Sequence, residues 1–204
     1  MPPAVDTYAL GPTQTNCYVV RSEADATEAV VIDPGYEGVE PEYRVAAILV
    51  THSHWDHLGG IATLAEATGA PVHMPELEAQ VLENPESFYP GQPIRPYSAE
   101  VRLRGNETLV LAGLTFEVVQ VPGHSPGHLA YATDGAIFSG DVLFAGSVGR
   151  TDLPFSDWDT LVASIRTLFE RFPPETVVYP GHGPPTTLAA ERARNPFLAE
   201  LRAS

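Results

Sequence analysis

The sequence contains no lysine, since each of its 11 basic residues is an arginine. Schiff-base chemistry, covalent attachment of pyridoxal phosphate and a P-loop are therefore excluded, because each of them needs a lysine amine. The 26 acidic side chains leave a formal net charge of −15 at pH 7. That charge disfavours nucleic acid as a partner, since contact with phosphates needs clustered positive charge. It disfavours an anionic membrane surface for the same reason.

Cysteine and long apolar runs are also scarce. The single cysteine, Cys17, cannot form a disulfide within the chain, which is typical of a reducing compartment. No apolar run approaches the length of about 18 residues that indicates a membrane span. The first residues lack the basic and apolar segments of a secretory signal. We therefore expect a cytoplasmic protein that has no membrane partner.

The length of 204 residues, with 44% hydrophobic and 18% charged residues, predicts a single globular domain over residues 1–204. Residues 45–50 are wholly apolar and predict a strand that is buried on both faces. Helices are predicted at 58–67, 157–172 and 187–202, and residues 84–98, with four prolines, predict an extended loop. Groups of strands flanked by helices favour an α/β fold built of layers.

Three histidines fall within six residues, directly after the apolar run that ends at Val50. They are His52, His54 and His57, and Asp56 stands among them. In an extended loop the first two point to the same side, because they are two residues apart. Neutral imidazole and carboxylate are ligands that zinc and iron prefer. Four such groups so close together predict a metal site.

Further residues of the same type follow the ends of other predicted strands. His124 comes after a Pro-Gly pair, Asp141 ends an apolar strand, and His182 follows a second Pro-Gly pair. A single histidine at a strand end is more often structural than a ligand. Four strand ends that each supply imidazole or carboxylate groups indicate a shared metal site at the edge of a sheet.

The motif Thr51-His-Ser-His-Trp-Asp-His57, followed in order by His124, Asp141 and His182, resembles the metallo-β-lactamase fold superfamily. Within it, the chain is similar to glyoxalase II-like hydrolases, above all the short bacterial type that lacks the C-terminal helical domain. The segment Gly-Arg-Thr-Asp-Leu-Pro at 149–154 supports this resemblance. The resemblance implies a four-layer αββα sandwich with the metal site at the strand-end edge.

The resemblance also implies two metal positions. The first would be held by His52, His54 and His124. The second would be held by Asp56, His57 and His182, with Asp141 bridging both. The implied cofactors are two divalent metal ions, zinc above all, with iron or manganese as alternatives because the same ligands accept each of them. Two such ions about 3.5–4 Å apart would share a water molecule and polarise a substrate carbonyl.

The implied activity is that of a metal-dependent hydrolase, which cleaves a thioester such as S-lactoylglutathione with a hydroxide that bridges the metals. Asp56 and Asp141 are its candidate catalytic residues, and the expected partner is a small anionic thioester. One alternative is a mononuclear iron persulfide dioxygenase that uses only His52, His124 and Asp141. A second is a metal-stabilised module without catalysis. Lactamase activity is disfavoured, because Asp141 stands where many such lactamases place a cysteine.

Two residues outside the ligand set are candidates for supporting roles. Asp33 is expected to accept the second N–H of a metal-bound imidazole, although an Asx turn before Pro34 is the alternative. Arg150 could pair with a substrate carboxylate, since guanidinium matches its geometry. The alternative for Arg150 is an ion pair within the chain, with Asp152 or Asp157.

Two further residues are predicted to be structural. His128 has no matching position in the ligand pattern, and Cys17 lies far along the chain from the motifs. Thr51 and Ser53, by contrast, are further candidates for contacts behind the ligands, because they alternate with the histidines in the motif.

Overall fold

Two six-stranded sheets form the centre of the computed structural model, which describes residues 2–39 and 42–202. The first sheet has its strands in chain order: β1 (Ala4–Leu10), β2 (Thr15–Arg21), β3 (Glu28–Ile32), β4 (Arg44–Leu49), β5 (Val72–Pro75) and β6 (Val101–Leu103). The second sheet contains β7 (Thr108–Leu111), β8 (Leu114–Gln120), β9 (Leu129–Thr133), β10 (Ala136–Gly140), β13 (Val177–Pro180) and β14 (Thr186–Thr187). Its order is β14-β13-β10-β9-β8-β7, and β11 (Leu143–Phe144) pairs with β12 (Ser147–Val148) as a separate hairpin.

The helices are short except for one. They are α1 (Ile61–Thr68), α2 (Ala79–Glu83), α3 (Pro85–Phe88), α4 (Trp158–Arg171) and α5 (Leu188–Arg194). Turns of 3-10 helix cover Trp55–His57, Glu76–Glu78 and Pro196–Arg202. In the part of the chain that the structure describes, no helix combines the length and the apolar character that crossing a membrane requires.

Successive side chains of the central strands belong to different apolar layers. In β2, Tyr18 and Val20 pack between the sheets, whereas Cys17 packs against the helices on the outer face. In β9, Tyr131 lies between the sheets and Ala130 faces the opposite helical layer. Side chains alternate along a strand, so strands buried on both faces need apolar residues at nearly every position. The predicted four-layer αββα sandwich is confirmed.

The long helix α4 covers the outer face of the second sheet. Its buried residues Leu161, Ile165 and Leu168 fall on one side, as their spacing predicts. Asp157 caps the helix, because its side chain accepts a hydrogen bond from the Thr160 N–H at 2.8 Å. This contact satisfies one of the N–H groups that a helix start leaves unpaired.

Two segments differ from their predicted structure. Residues 84–98 were expected to be extended, but α3 begins there at Pro85, a residue that is tolerated in the first turn of a helix. The predicted helix over 187–202 ends instead at Arg194, two residues before Pro196, and continues as a 3-10 turn. Proline lacks the N–H that would continue the α-helix.

The prediction of one domain over residues 1–204 stays a prediction. It includes Met1, Glu40, Pro41, Ala203 and Ser204, which lie outside the described residues.

The fold brings four chain segments to one edge. The histidine loop follows β4, and the other candidate ligands follow β8, β10 and β13. Strands β10 and β13 are parallel, and β8 and β10 are both antiparallel to β9. The carboxyl ends of these three strands therefore meet at one edge of the second sheet, next to the end of β4.

Candidate metal centre

The seven predicted metal ligands come together at this edge. The candidate ligand atoms within each of three groups lie within 4.8 Å of one another: His52, His54 and His124; Asp56, His57 and His182; and His52, His57 and Asp141. The first two groups are the two sets that the resemblance implies. The role of each residue as a metal ligand stays a prediction.

Asp141 lies between the two sets. Its Oδ1 is 3.5 Å from His57 Nε2, while its Oδ2 is 3.6 Å from His124 Nε2 and 3.4 Å from His182 Nε2. One carboxylate therefore contacts side chains of both groups. This is the position that a carboxylate shared by two metal ions would occupy.

Glycines allow the chain segments to approach so closely. A Cβ atom at Gly181 would lie 2.0 Å from Asp141 Oδ1, and one at Gly149 would lie 2.0 Å from the Asp141 carbonyl oxygen. Neither distance is possible for a side chain, so glycine is required both before His182 and at position 149.

The donor set fits divalent metal ions. His52 Nε2, His57 Nε2 and Asp141 Oδ1 are buried and have no hydrogen-bond partner among the described residues. Buried polar atoms are nearly always paired in folded proteins, so three such atoms without a hydrogen-bond partner in one place need an explanation. Imidazole nitrogens and carboxylate oxygens that converge on one space are the donor set of zinc and iron sites.

Asp33 lies directly behind His57. Its Oδ2 is 3.0 Å from His57 Nδ1 and accepts a hydrogen bond from Thr51 Oγ1 at 2.7 Å, and its Oδ1 accepts one from the Thr51 N–H at 2.8 Å. Of the two alternatives for Asp33, the structure shows the contact with an imidazole. A carboxylate here keeps the proton of His57 on Nδ1 and leaves Nε2 free to act as a ligand.

Three of the candidate histidines have pKa values shifted in different directions. Burial and the neighbouring histidines lower the pKa of His52 below its usual range, and burial followed by His124 lowers the pKa of His54 to about 4. These imidazoles are neutral near pH 7, so their lone pairs are available. In the second group, burial opposes the charged form of His182, but hydrogen bonds to Asp141 and Asp56 raise its pKa to about 10. A metal ion there would replace an imidazolium proton.

Glu78 is a buried residue of the site that the sequence analysis missed. Only 3% of its surface is exposed, and its Oε2 accepts a hydrogen bond from the Ser53 N–H at 2.6 Å. Its Oε1 accepts from Ser125 Oγ at 2.6 Å and from the Gly127 N–H at 2.7 Å. The carboxylate therefore joins the loop of His52 and His54 to the loop of His124. No motif surrounds Glu78, so no sequence signal separates it from the other glutamates.

The start of β2 is a second contribution that the sequence did not reveal. Thr15 Oγ1 donates a hydrogen bond to Asp56 Oδ2 at 2.9 Å. Asn16 Nδ2 donates to the carbonyl oxygens of Pro180 at 2.9 Å and Gly183 at 2.8 Å. The two hydrogen bonds of Asn16 hold the segment that carries His182, and they join residues more than 160 positions apart.

His128 contacts the cluster from behind. Its Nε2 accepts a hydrogen bond from the Asp141 N–H at 3.2 Å, and its ring stacks on His52 with the centroids 4.5 Å apart. Burial lowers its pKa, so the ring is neutral. Cys17 is fully buried in the core, as predicted.

Arg150 forms the ion pair that was one of its two alternatives. Its Nε and Nη2 donate to Asp152 at 2.7 and 2.8 Å, while Asp157 caps α4 instead. Its carbonyl oxygen also accepts a hydrogen bond from His124 Nδ1 at 2.9 Å. The backbone of Arg150 therefore orients a candidate ligand, a role that the sequence does not indicate.

A cavity of about 1150 Å³ opens onto the cluster. Its lining includes five of the candidate ligands, His54, Asp56, His124, Asp141 and His182. A small molecule in this cavity would therefore reach the atoms at which the two groups meet.

Residues 10–182 match the family model described as the metallo-beta-lactamase superfamily. The chain belongs to the metallo-β-lactamase superfamily. The resemblance expected from the histidine motif is thereby confirmed, and the chain is a member of a superfamily of metallo-hydrolases.

Two similar proteins match almost the whole chain. "Probable metallo-hydrolase YqgX" of Bacillus subtilis (strain 168) is 34% identical over 202 residues, which cover 93% of this chain and 94% of the relative. "Hydroxyacylglutathione hydrolase GloC" of Haemophilus influenzae is 33% identical over 207 residues, which cover 91% and 93%.

Two solved structures of the superfamily are also similar. "BLEG-1 B3 metallo-beta-lactamase" has a TM-score of 0.88 and 38% identity, and the match covers 96% of this chain and 100% of the other. "TTHA1623 in a di-iron-bound form" has a TM-score of 0.81 and 41% identity, and the match covers 95% and 100%. This second protein, which is 41% identical to the present chain, was therefore crystallised with two iron ions.

Proposed function

We propose that this chain is a binuclear metal-dependent hydrolase that cleaves a thioester of the hydroxyacylglutathione type. One observation carries the proposal: Asp141 lies between two groups of three candidate ligands, within 3.6 Å of a histidine of each group. A shared carboxylate of this kind is what two metal ions a few ångströms apart require. The 33% identity to a hydroxyacylglutathione hydrolase supports the choice of substrate.

The residues present would hold two divalent ions. The first position would use His52, His54 and His124. The second would use Asp56, His57 and His182, with Asp141 shared. When bound, such ions supply a water molecule of lowered pKa and polarise a carbonyl oxygen. We propose zinc for both positions, while the di-iron relative keeps iron as the alternative.

The remaining work falls to the protein's own groups. Asp33 keeps the proton of His57 on Nδ1, and the Thr15 hydroxyl donates to Asp56 Oδ2, so that both side chains are fixed before the substrate arrives. The chain supplies no nucleophile of its own in this mechanism. Burial raises the pKa of the Cys17 thiol well above its usual value, which keeps the thiol protonated and unreactive. We assign the catalytic role to Asp56 and Asp141, because both side chains line the cavity in which a substrate would bind.

The proposed partner is a small anionic thioester. Arg150 lines the cavity beside the candidate ligands, so an anionic group of the thiol half could compete with Asp152 for its guanidinium. We place the reaction in the cytoplasm, on the ground that the sole cysteine of the chain is an unpaired thiol.

The test is elemental analysis of the natively loaded protein, followed by assays on thioesters. We expect about two metal ions per chain, hydrolysis of S-lactoylglutathione or a related thioester, and loss of turnover in Asp56→Asn. Asp25→Asn, which changes an exposed carboxylate in the loop between β2 and β3, is the matched control. One iron per chain, with oxygen consumed on addition of glutathione persulfide, would show a dioxygenase instead. No turnover with any metal would show a binding module.

Hydrolysis of β-lactams is a second candidate, because a structure described as a B3 metallo-β-lactamase is 38% identical to this chain. The same metal-loaded protein should be assayed with a chromogenic cephalosporin. We expect its kcat/KM to be far below that for thioesters. The reverse order would favour the lactamase.

A further inference from the structure

Three large apolar side chains are exposed at the same cavity. Leu77 is 66% exposed, Phe88 45% and Phe155 87%, and all three line the cavity together with the candidate ligands. They come from separate segments, namely the 3-10 turn before α2, helix α3, and the loop before α4. Single exposed apolar residues are ordinary, but several around one concave site mark a surface that binds an apolar group.

The backbone of Phe155 is strained, and its ring is exposed. Its φ of +65° lies in the left-handed region, which is rare for a bulky residue. The conformation is held by a turn in which Ser156 Oγ accepts from the Leu153 N–H at 3.1 Å and donates to the Leu153 carbonyl at 2.7 Å. Backbone strain of this kind persists where the surrounding structure enforces it, and it is concentrated at functional sites.

Away from the candidate ligands, the cavity offers an anionic group a single guanidinium among the described residues. Among the described residues of its lining, Arg150 is the one cation other than the histidines, and both of its hydrogen bonds go to Asp152. The same lining contains the carboxylates of Asp56, Glu78 and Asp141. Its volume of about 1150 Å³ slightly exceeds the usual range of roughly 300–1,000 Å³ for small-molecule sites. A lactoyl group has no large apolar part that could contact Leu77, Phe88 or Phe155.

We propose that Leu77, Phe88 and Phe155 bind an apolar acyl group of about six or more carbons. The substrate class is then the thioesters of medium-chain or aromatic carboxylic acids, an inference that rests on the proposed thioester hydrolysis. The thiol carriers of biological thioesters are polar and charged, so the acyl half is the one that matches these side chains. Water forms the new C–O bond and the C–S bond breaks; one proton of the water passes to the thiolate sulfur, and the other stays with the carboxylic acid. The products are a carboxylic acid and a thiol, without any oxidant or reductant.

The first test is a series of thioesters of one thiol, from acetyl to decanoyl, with the lactoyl ester included. For the metal-loaded protein we expect kcat/KM to rise by up to about fourfold for each added methylene, until the cavity is filled. The lactoyl ester should be hydrolysed as well, but with a lower kcat/KM than the octanoyl ester. A flat or falling series overturns the inference and leaves the thioester hydrolase intact.

A variant at Phe155 links the preference to the cavity. Phe155→Gly removes the ring and suits the left-handed backbone, so we expect an unchanged or raised melting temperature. The ratio of octanoyl to acetyl kcat/KM should fall at least tenfold. Val110→Ser is the control, because Val110 is 75% exposed on β7 and lies outside the cavity. Equal ratios in the two variants would overturn the assignment to Phe155.

A binding measurement separates this inference from the proposed function. Ketone analogues, in which a methylene replaces the thioester sulfur, are titrated into the metal-loaded protein by calorimetry. If no thioester is cleaved, but the octyl analogue binds at least tenfold more tightly than the methyl analogue and Phe155→Gly removes the difference, the apolar site stands and the hydrolase proposal fails. Equal affinities for the two analogues overturn the apolar site.

Discussion

The carboxylate of Asp33 lies 3.0 Å from Nδ1 of His57, and both side chains are almost completely buried. The opposite nitrogen of the same ring, Nε2, has no hydrogen-bond partner among the described residues and lies 3.5 Å from Asp141 Oδ1. One contact therefore determines both the proton position and the direction of a candidate ligand. The carboxylate also accepts two hydrogen bonds from Thr51, so it is itself held in place.

Replacing Asp33 should weaken metal binding more than folding. In Asp33→Asn the group behind His57 loses its charge, and we expect the affinity for the second metal to fall about 10- to 100-fold. Titration of the metal-free protein with zinc, in competition with a chromogenic chelator, measures this. Asp25→Asn, in an exposed loop, should keep the affinity of the original protein. Equal affinity in Asp33→Asn would show that the charge of Asp33 does not strengthen metal binding through His57.

Glu78 should matter for stability as well as for the site. In Glu78→Gln one of the three donors that face the carboxylate would meet an NH₂ group, and we expect a loss of about 1–3 kcal/mol in the free energy of unfolding. Urea denaturation of the metal-free protein measures the change. Glu76→Gln is a control two residues away, because Glu76 pairs with Arg104 at the surface. If both variants unfold at the same urea concentration, the carboxylate of Glu78 does not join the two loops.

Gly181 should tolerate no side chain. The Cβ of Gly181→Ala would lie 2.0 Å from Asp141 Oδ1, so the carboxylate or the His182 segment must move, and we expect at least one metal position to be lost. Gly135→Ala is the comparison, because an alanine at its φ of +79° strains the backbone, but nothing lies near the added Cβ. Elemental analysis of the purified variants should show reduced metal only in Gly181→Ala. Full metal content there would mean that the segment adapts without cost to the site.

Removing the metal should destabilise the protein. His52 Nε2, His57 Nε2 and Asp141 Oδ1 would then be buried without a metal ion, and they have no hydrogen-bond partner among the described residues. Binding to the folded state alone contributes about 2.7 kcal/mol when the free metal is 100 times its dissociation constant. We expect a lower melting temperature in the presence of a chelator, and recovery when zinc is added back. If the melting temperature does not change when the chelator is added, the folded protein does not contain a metal site.

The histidine motif and the layered fold could be predicted because their signals are local. Strands buried on both faces read as continuous apolar runs, as in residues 45–50, and the α4 stripe repeats at helical spacing. His52, His54 and His57 are close in sequence, so they must be close in space. The contact of Asp33 with an imidazole could also be predicted as one of two alternatives, because a carboxylate at a strand end is a common acceptor for an imidazole N–H.

The sequence by itself determined which chemical groups are present and at which strand ends they stand. Only the tertiary structure decided which other side chains hold these groups in place, because those side chains lie far away in the sequence. Glu78 contacts Ser53 and Ser125 from 25 and 47 positions away, and Asn16 reaches Pro180 across 164. Such contacts have no period and no fixed spacing, since they depend on how two sheets pack. The exposure of Phe155 was likewise decided by the tertiary structure, because the sequence does not distinguish a phenylalanine at a cavity from one in the core.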